Sequence, residues 1–175
     1  DDESRPVIIM EYAENGDLLT MFNKIRTKST PQRWNNTKVV INILGISLGM
    51  SYLNQQNLIH TKLKPSNILL DSNLYPKITD YFYHLVPVKY PTDLAIVTDN
   101  GIIYRSPEQS EDEFLDYSTD VYSFGMILYE FYTQTPPTVR GKTGFLILQS
   151  IMKGERPNTS SIGNKYVKDL IEKCW

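Results

Sequence analysis

One cysteine, Cys174, stands in 175 residues, so neither an internal disulfide nor a cysteine metal cluster can form. An excess of one charge is also missing. Eighteen basic and 20 acidic residues leave a net charge of −2, which gives neither a nucleic-acid footprint nor a polybasic membrane patch. Long apolar runs are scarce too: the acidic opening Asp1-Asp2-Glu3-Ser4 is followed only by the short run Val7 to Met10, far below what a signal peptide or a membrane span needs. Internal repeats and low-complexity tracts are absent. What is present is 41% hydrophobic and 22% charged, near globular averages, which argues against disorder, collagen-like repeats and coiled coil. A chain of this length buries roughly two-thirds of its unfolded surface, enough for a core without disulfides or metal. One folded unit in a reducing compartment is the expectation. The chain does not begin with Met, and Leu170 to Trp175 stop in mid-pattern, so it reads as cut from something longer.

Pro6 to Met10 is short and β-branched, which predicts a buried strand. Glu14-Asn15-Gly16-Asp17 then supplies a turn and a cap for a short helix with Leu18, Phe22 and Ile25 on one face. After a polar loop over 28–36, ending in a cap at Asn36 or Thr37, apolar residues recur at Val39, Ile43, Ile46, Met50 and Leu53, the spacing of an amphipathic helix. Asn57 to His60, Ile68 to Leu70 and Tyr75 to Thr79 read as small strands or hairpin arms, with a turn at Asp71-Ser72-Asn73. Residues 81–107 are poorly patterned and long for a loop. Asp120 is then placed to cap a helix whose run from Phe124 to Tyr132 is apolar on nearly every side, the mark of a central helix, and Pro136-Pro137 ends it. A helix is predicted over 143–153, closed by Gly154. A last one follows on Val167, Leu170, Ile171 and Cys174. The fold class is α+β, mostly helical, with a few short strands.

Asn57 to Asp71 reads N-L-I-H-T-K-L-K-P-S-N-I-L-L-D and resembles the protein-kinase catalytic loop, H-R-D-L-K-P-x-N followed by an apolar strand. Four more matches fall in family order. Ile8 to Tyr12 resembles the strand and hinge that hold adenine, and Lys77-Ile78-Thr79-Asp80-Tyr81-Phe82 stands where the metal-binding D-F-G lies. Ser106-Pro107-Glu108 resembles A-P-E, and Asp120-Val121-Tyr122-Ser123-Phe124-Gly125 is similar to the opening of the family's central helix. Five matches in order carry far more weight than any one of them. The resemblance spans the whole chain and implies the large lobe of a protein kinase. Its hinge would lie at about 10–16, its catalytic loop at 60–67, its metal motif at 80–82 and its activation segment at 80–108. The small lobe, with the glycine-rich loop and strand lysine, is expected upstream. Lys64-Pro65 and the Tyr122 to Gly125 segment resemble the tyrosine-kinase-like branch of the serine/threonine kinases. Family membership also implies ATP and Mg as cofactors, a cytoplasmic location, and contacts with other proteins through the large lobe.

By this resemblance Lys64 would contact the transferred phosphate and Asn67 and Asp80 would be metal ligands, an amide and a carboxylate supplying the oxygens magnesium prefers. Met10, Glu11 and Ala13 would frame the adenine, Leu69 would lie under its ring, and Asp17 either reaches the ribose or caps a helix. The family's catalytic aspartate aligns with Lys62, and its preceding arginine with Thr61. An unperturbed lysine has a pKa of about 10.4, so service as a base near neutrality needs a depression of roughly three units. Lys62 is therefore expected to be protonated and to form an ion pair with Asp80. Tyr81-Phe82 in place of Phe-Gly removes a residue suited to unusual backbone angles, and Thr61 removes an arginine that would pair with a loop phosphate. By the same resemblance Glu108 would pair with an arginine beyond Trp175, without which it would be a buried charge left unpaired. His60 is expected to be a packed core residue rather than an acid-base catalyst, His84 a loop residue, and Asp120 a structural cap that also holds the loop backbone. Tyr122, Phe124, Tyr129, Phe131 and Tyr132 are expected in the core. The leading expectation is a pseudokinase, a binding or regulatory module, or a fragment of one. Its rivals are a serine/threonine kinase active only with its small lobe and a gene fragment with no role of its own.

Overall fold

Asp17 opens the first helix as expected, its carboxylate accepting from the Thr20 N–H at 2.7 Å. In the computed structural model, which describes residues 9–81, 100–110, 115–138 and 145–175, that helix is α1 (Leu18–Arg26), burying Leu18, Met21 and Phe22. Lys24 and Arg26 in its last turn suit the negative end of the helix dipole. Helix α2 (Asn36–Gln55) is capped by Asn35, whose Oδ1 accepts from the Lys38 N–H at 3.1 Å. The cap thus lies one residue before the nearer of the two predicted positions, because Asn36 already has helical geometry. The predicted stripe faces the core, with Ile46, Met50 and Leu53 buried. Asn42 shares that face: its Nδ2 donates to Lys38 O at 2.8 Å and to Leu74 O at 2.9 Å, tying α2 to a hairpin.

The hairpin pairs β1 (Ile68–Leu70) with β2 (Pro76–Ile78), antiparallel, Leu69 opposite Lys77. Its turn is the predicted one, made by Asp71 Oδ1 accepting from the Asn73 and Tyr75 N–H groups at 2.8 and 2.9 Å. Two glycines let α2 lie against β2: a Cβ on Gly45 would stand 2.6 Å from Pro76 Cγ, and one on Gly49 would stand 2.7 Å from Ile78 Cδ1. The arm expected at Asn57 to His60 is not a strand. Asn57 takes a left-handed turn at φ 57° and the His60 N–H is spent on a side chain rather than a ladder. The buried strand expected over 6–10 also fails where it is described. Ile9 and Met10 are exposed and carry no strand pairing, because the strands described, β1 and β2, pair with each other. Residues 6–8 lie outside the described residues.

Helix α3 (Tyr117–Thr133) is the central element, buried on nearly every side from Tyr122 to Phe131. Tyr132 departs from expectation and is exposed. The cap is Asp116, whose carboxylate accepts from the Ser118 N–H at 2.7 Å, and not Asp120, which lies inside the first turn. Gln134 ends the helix in the left-handed region at φ 56°, two residues before Pro136. Helix α4 (Phe145–Met152) is followed by Gly154 at φ 80°, as expected; residues 143 and 144 lie outside the described residues. Helix α5 (Lys165–Lys173) is capped by Asn164 and buries Ile171 against Leu128, Tyr129 and Ile162. Leu170, expected inward, is exposed, so the buried stripe of α5 is narrower than its sequence pattern. Helices α1 to α4 and the hairpin contribute to one core. Among the described residues, no helix is long and apolar enough to cross a membrane.

Candidate functional site

The loop over 60–67 is held from below by Asp120. Its carboxylate is 2% exposed and accepts from the N–H groups of His60 at 2.7 Å and Thr61 at 2.8 Å. Thr61 sits at φ 61°, a left-handed conformation that costs a β-branched residue about 1–3 kcal/mol and persists only where the surroundings enforce it. Gln109 adds to the enforcement. Its Nε2 donates to Thr61 O at 2.6 Å while its Oε1 accepts from the Ser106 N–H at 3.0 Å.

His60 is buried, as expected. Its Nε2 lies 2.9 Å from Thr79 O, and its Nδ1 accepts from the Lys62 N–H at 3.2 Å. One ring nitrogen therefore donates and the other accepts, the pattern of a neutral imidazole. Burial pushes the His60 pKa down, against the opposing fields of Asp120 and Asp80. Asn67, also buried, donates from Nδ2 to Lys62 O at 2.9 Å and accepts at its backbone oxygen from the Thr79 N–H at 3.0 Å. The chain from Asp120 through His60 and Lys62 to Asn67 and Thr79 thus fixes the backbone on both sides of position 62. It places Asp80, at φ 65°, one residue beyond Thr79.

The segment before α1 lies along the other edge of β1. Asn15 N–H donates to Leu70 O at 3.1 Å, Leu70 N–H donates to Gly16 O at 2.8 Å, and Asp17 bridges to Leu69. Met10 reaches the same neighbourhood, its Sδ accepting from Thr79 Oγ1 at 3.4 Å. Met10 thus meets Thr79, whose N–H is bonded to Asn67 O and which precedes Asp80, while Asp17 lies beside Leu69. Glu11 is directed elsewhere, into an exposed ion pair with Lys77 at 2.6 Å. Asp17 is a helix cap. Glu108 is half-buried rather than buried and accepts from Thr119 Oγ1 at 3.1 Å, a hydrogen bond from a neutral hydroxyl and not a countercharge. Phe82, His84 and most of the segment to 99 lie outside the described residues.

A family model described as protein tyrosine and serine/threonine kinase matches residues 2–175. The chain belongs to the protein kinase superfamily. It is 29% identical to the serine/threonine-protein kinase PKH2 of Saccharomyces cerevisiae over 98% of its own length and 16% of that protein's. It is 33% identical to integrin-linked protein kinase 1 of Arabidopsis thaliana, over 97% of this chain and 36% of the relative. Against the tyrosine-protein kinase JAK3 of Rattus norvegicus it is 27% identical over 96% of this chain and 16% of the relative. The chain spans little more than a third of these kinases at most.

Sequence reasoning missed two buried contacts, one at the candidate site and one in the core. One is Gln109, which binds the 60–67 loop from the segment after Ser106-Pro107-Glu108. The other is Glu130, fully buried in α3, with Oε1 2.8 Å from Arg26 NH1 of α1 and Oε2 accepting from the Tyr104 hydroxyl. Burial pushes the Glu130 pKa up and the Tyr104 hydroxyl well up. A lone glutamate inside the apolar run Phe124 to Tyr132 was the available signal, since a buried carboxylate requires a partner.

Proposed function

We propose that this kinase-family domain, with features of the tyrosine-kinase-like branch, has lost phosphoryl transfer and acts by binding other proteins. The observation that carries this reading is Lys62, a residue whose ordinary form is an ammonium group, at the position fixed by Asp120, His60 and Asn67. A hydroxyl nucleophile requires a proton acceptor there. The donor types for a magnesium ion survive. The Asn67 amide nitrogen is committed to Lys62 O, which leaves its Oδ1 to offer, and Asp80 adds a carboxylate. Among the described residues there is no cluster of three or more His, Cys, Asp or Glu for a metal ion, so Asn67 and Asp80 would hold magnesium only together with oxygens of a bound nucleotide. Mg-ATP, when bound, supplies the transferable phosphoryl group. Met10, Ala13 and Leu69 would bound its adenine, and Lys64 would balance phosphate charge. An ion pair between Lys62 and Asp80 would compete with that metal.

The surviving Lys64, Asn67 and Asp80 favour, as a second reading, a serine/threonine kinase that is active when its small lobe closes the site. The experiment is phosphate transfer by the full-length protein, wild type against Lys62→Asp. On the leading reading wild type shows no transfer above background and Lys62→Asp raises it by about 10²-fold or more. Turnover by wild type that Lys62→Asp leaves unchanged would show that another group accepts the proton.

A further inference from the structure

Thr61 O and the Lys62 N–H belong to one peptide, and side chains hold both ends of it. Gln109 Nε2 donates to the oxygen at 2.6 Å, and the N–H donates to His60 Nδ1 at 3.2 Å. Asp120 and His60 act on N–H groups of this stretch, whereas Gln109 acts on the oxygen. The other atom of the Gln109 amide is also engaged: Oε1 accepts from the Ser106 N–H at 3.0 Å and from the Ser106 hydroxyl at 3.4 Å. A side-chain amide suits this position because it presents a donor and an acceptor together, where a carboxylate offers only acceptors and an ammonium only donors.

We propose that Gln109 is a positioning residue for the side chain at position 62, acting through Thr61 O. A peptide is planar, so a hold on its oxygen and on its N–H fixes the N–Cα bond of the next residue. Lys62 O is held in turn by Asn67 Nδ2 at 2.9 Å, and Leu63 beyond it is buried. With both flanking peptides set, so is the direction in which the side chain at position 62 leaves the backbone. Release of Thr61 O would let Thr61 relax from its left-handed conformation at φ 61°, and that relaxation swings the N–Cα bond of Lys62. This role rests on the reading above, in which position 62 is the point that meets a substrate or partner. Because the same amide also binds Ser106, the seating of residues 106–109 against the loop and the placement of position 62 are one event.

Two substitutions in the full-length protein test this. Gln109→Met keeps the length of the side chain and removes both bonds. Hydrogen exchange, read by mass spectrometry in overlapping fragments, is expected to be at least about tenfold faster at the Lys62 amide of that variant, the effect of losing about one hydrogen bond, and unchanged in α1 and α2. Gln109→Glu keeps the acceptor for Ser106 and loses the donor for Thr61 O. In the Lys62→Asp background, where position 62 offers a proton acceptor, both substitutions are expected to lower kcat for phosphate transfer at least about tenfold while KM for ATP holds, because misplacement of the acceptor is felt in the transition state. A Lys62 amide that exchanges as in wild type overturns the proposal. So does an acceleration shared by α1 and α2, which marks a merely structural residue, or a Gln109→Glu variant with the kcat of its parent. If Lys62→Asp shows no transfer, the reading of position 62 as a lost proton acceptor fails, and the exchange at Lys62 by itself upholds or overturns the role of Gln109.

Discussion

Replacing Asp120 by alanine removes one carboxylate and two hydrogen bonds, at 2.7 and 2.8 Å, from a site where His60 and Thr61 are both buried. Hydrogen bonds to a charged partner contribute about 1.5–3 kcal/mol each, and their loss leaves two N–H groups without a partner in an apolar setting. The gross loss is therefore about 3–6 kcal/mol. Relaxation of Thr61 out of its left-handed conformation returns part of this, since that conformation costs about 1–3 kcal/mol. A net loss of about 2–3 kcal/mol is a large share of a domain's usual 5–15. At about 2–4 °C per kcal/mol for this size, it lowers Tm by roughly 4–12 °C. Thermal melting by circular dichroism measures the shift, and hydrogen exchange at the His60 and Thr61 amides locates it. Asp120→Asn, which keeps one acceptor oxygen, should lie between wild type and Asp120→Ala. An Asp120→Ala protein that melts within about 2 °C of wild type, with both amides still protected, would refute the idea that this carboxylate holds the loop.

Three further outcomes are expected. His60 has its pKa pushed below its ordinary 6.5 by burial, so the unfolded chain takes up a proton that the folded one refuses. The stability His60 contributes is complete above pH 6.5 and declines as pH falls below it; His60→Asn should flatten that slope in pH-dependent melting. Gly→Ala substitution inside a helix ordinarily gains up to about 1 kcal/mol. At Gly45 the new methyl would meet the Pro76 ring at 2.6 Å, whereas at Gly49 it would meet only the mobile end of Ile78 at 2.7 Å. Gly45→Ala should therefore destabilise by about 1–2 kcal/mol and Gly49→Ala should be near neutral in urea denaturation. Arg26→Leu strands the buried Glu130 carboxylate. Because the Arg26 side chain is 25% exposed, the expected loss is about 2–3 kcal/mol, below the 3–5 typical of a fully buried pair; adding Glu130→Gln should recover most of it in the same assay.

The sequence was most legible where one physical rule acts over a short span. The periodicity of α2, the Asp71 turn, the Asp17 cap and the glycine after α4 all follow from local geometry. The Gln109 to Thr61 bond and the Arg26 to Glu130 pair join positions 48 and 104 residues apart, and no local pattern encodes which distant group meets which. Asp120 shows the boundary between the two cases. As an Asp at the head of an apolar run it resembles a cap, but Asp116 already serves that purpose, which leaves the Asp120 carboxylate for a loop 60 residues earlier. The strand expected at Asn57 to His60 failed because its amides are taken elsewhere, that of His60 by the same carboxylate and those of Asn57 and Leu58 by Asn54 O and Leu53 O at the end of α2. Residues of the candidate site were located through motif order, whereas nothing in the motif specified that Glu11 would pair with Lys77 or that Met10 would lean on Thr79.

The proposed loss of catalysis and the observed loop geometry bear on one another through Thr61. A left-handed β-branched residue relaxes wherever its surroundings permit, because the conformation returns about 1–3 kcal/mol on release. Here two bonds from Asp120 and Gln109 and a packed His60 bear directly on that peptide. They impose a backbone that serves position 62, the next residue, whose own N–H and C=O are tied to His60 and Asn67. On the proposed reading, a loop whose backbone is held this way around Lys62 would present a cation where a kinase presents a base. On the binding reading such a cation is a recognition element, and preorganisation of this kind reduces the entropy lost when a partner docks. On that reading, the groups that support the loop, Asp120, His60 and Gln109, are separable from the residue at position 62 that would act on a substrate.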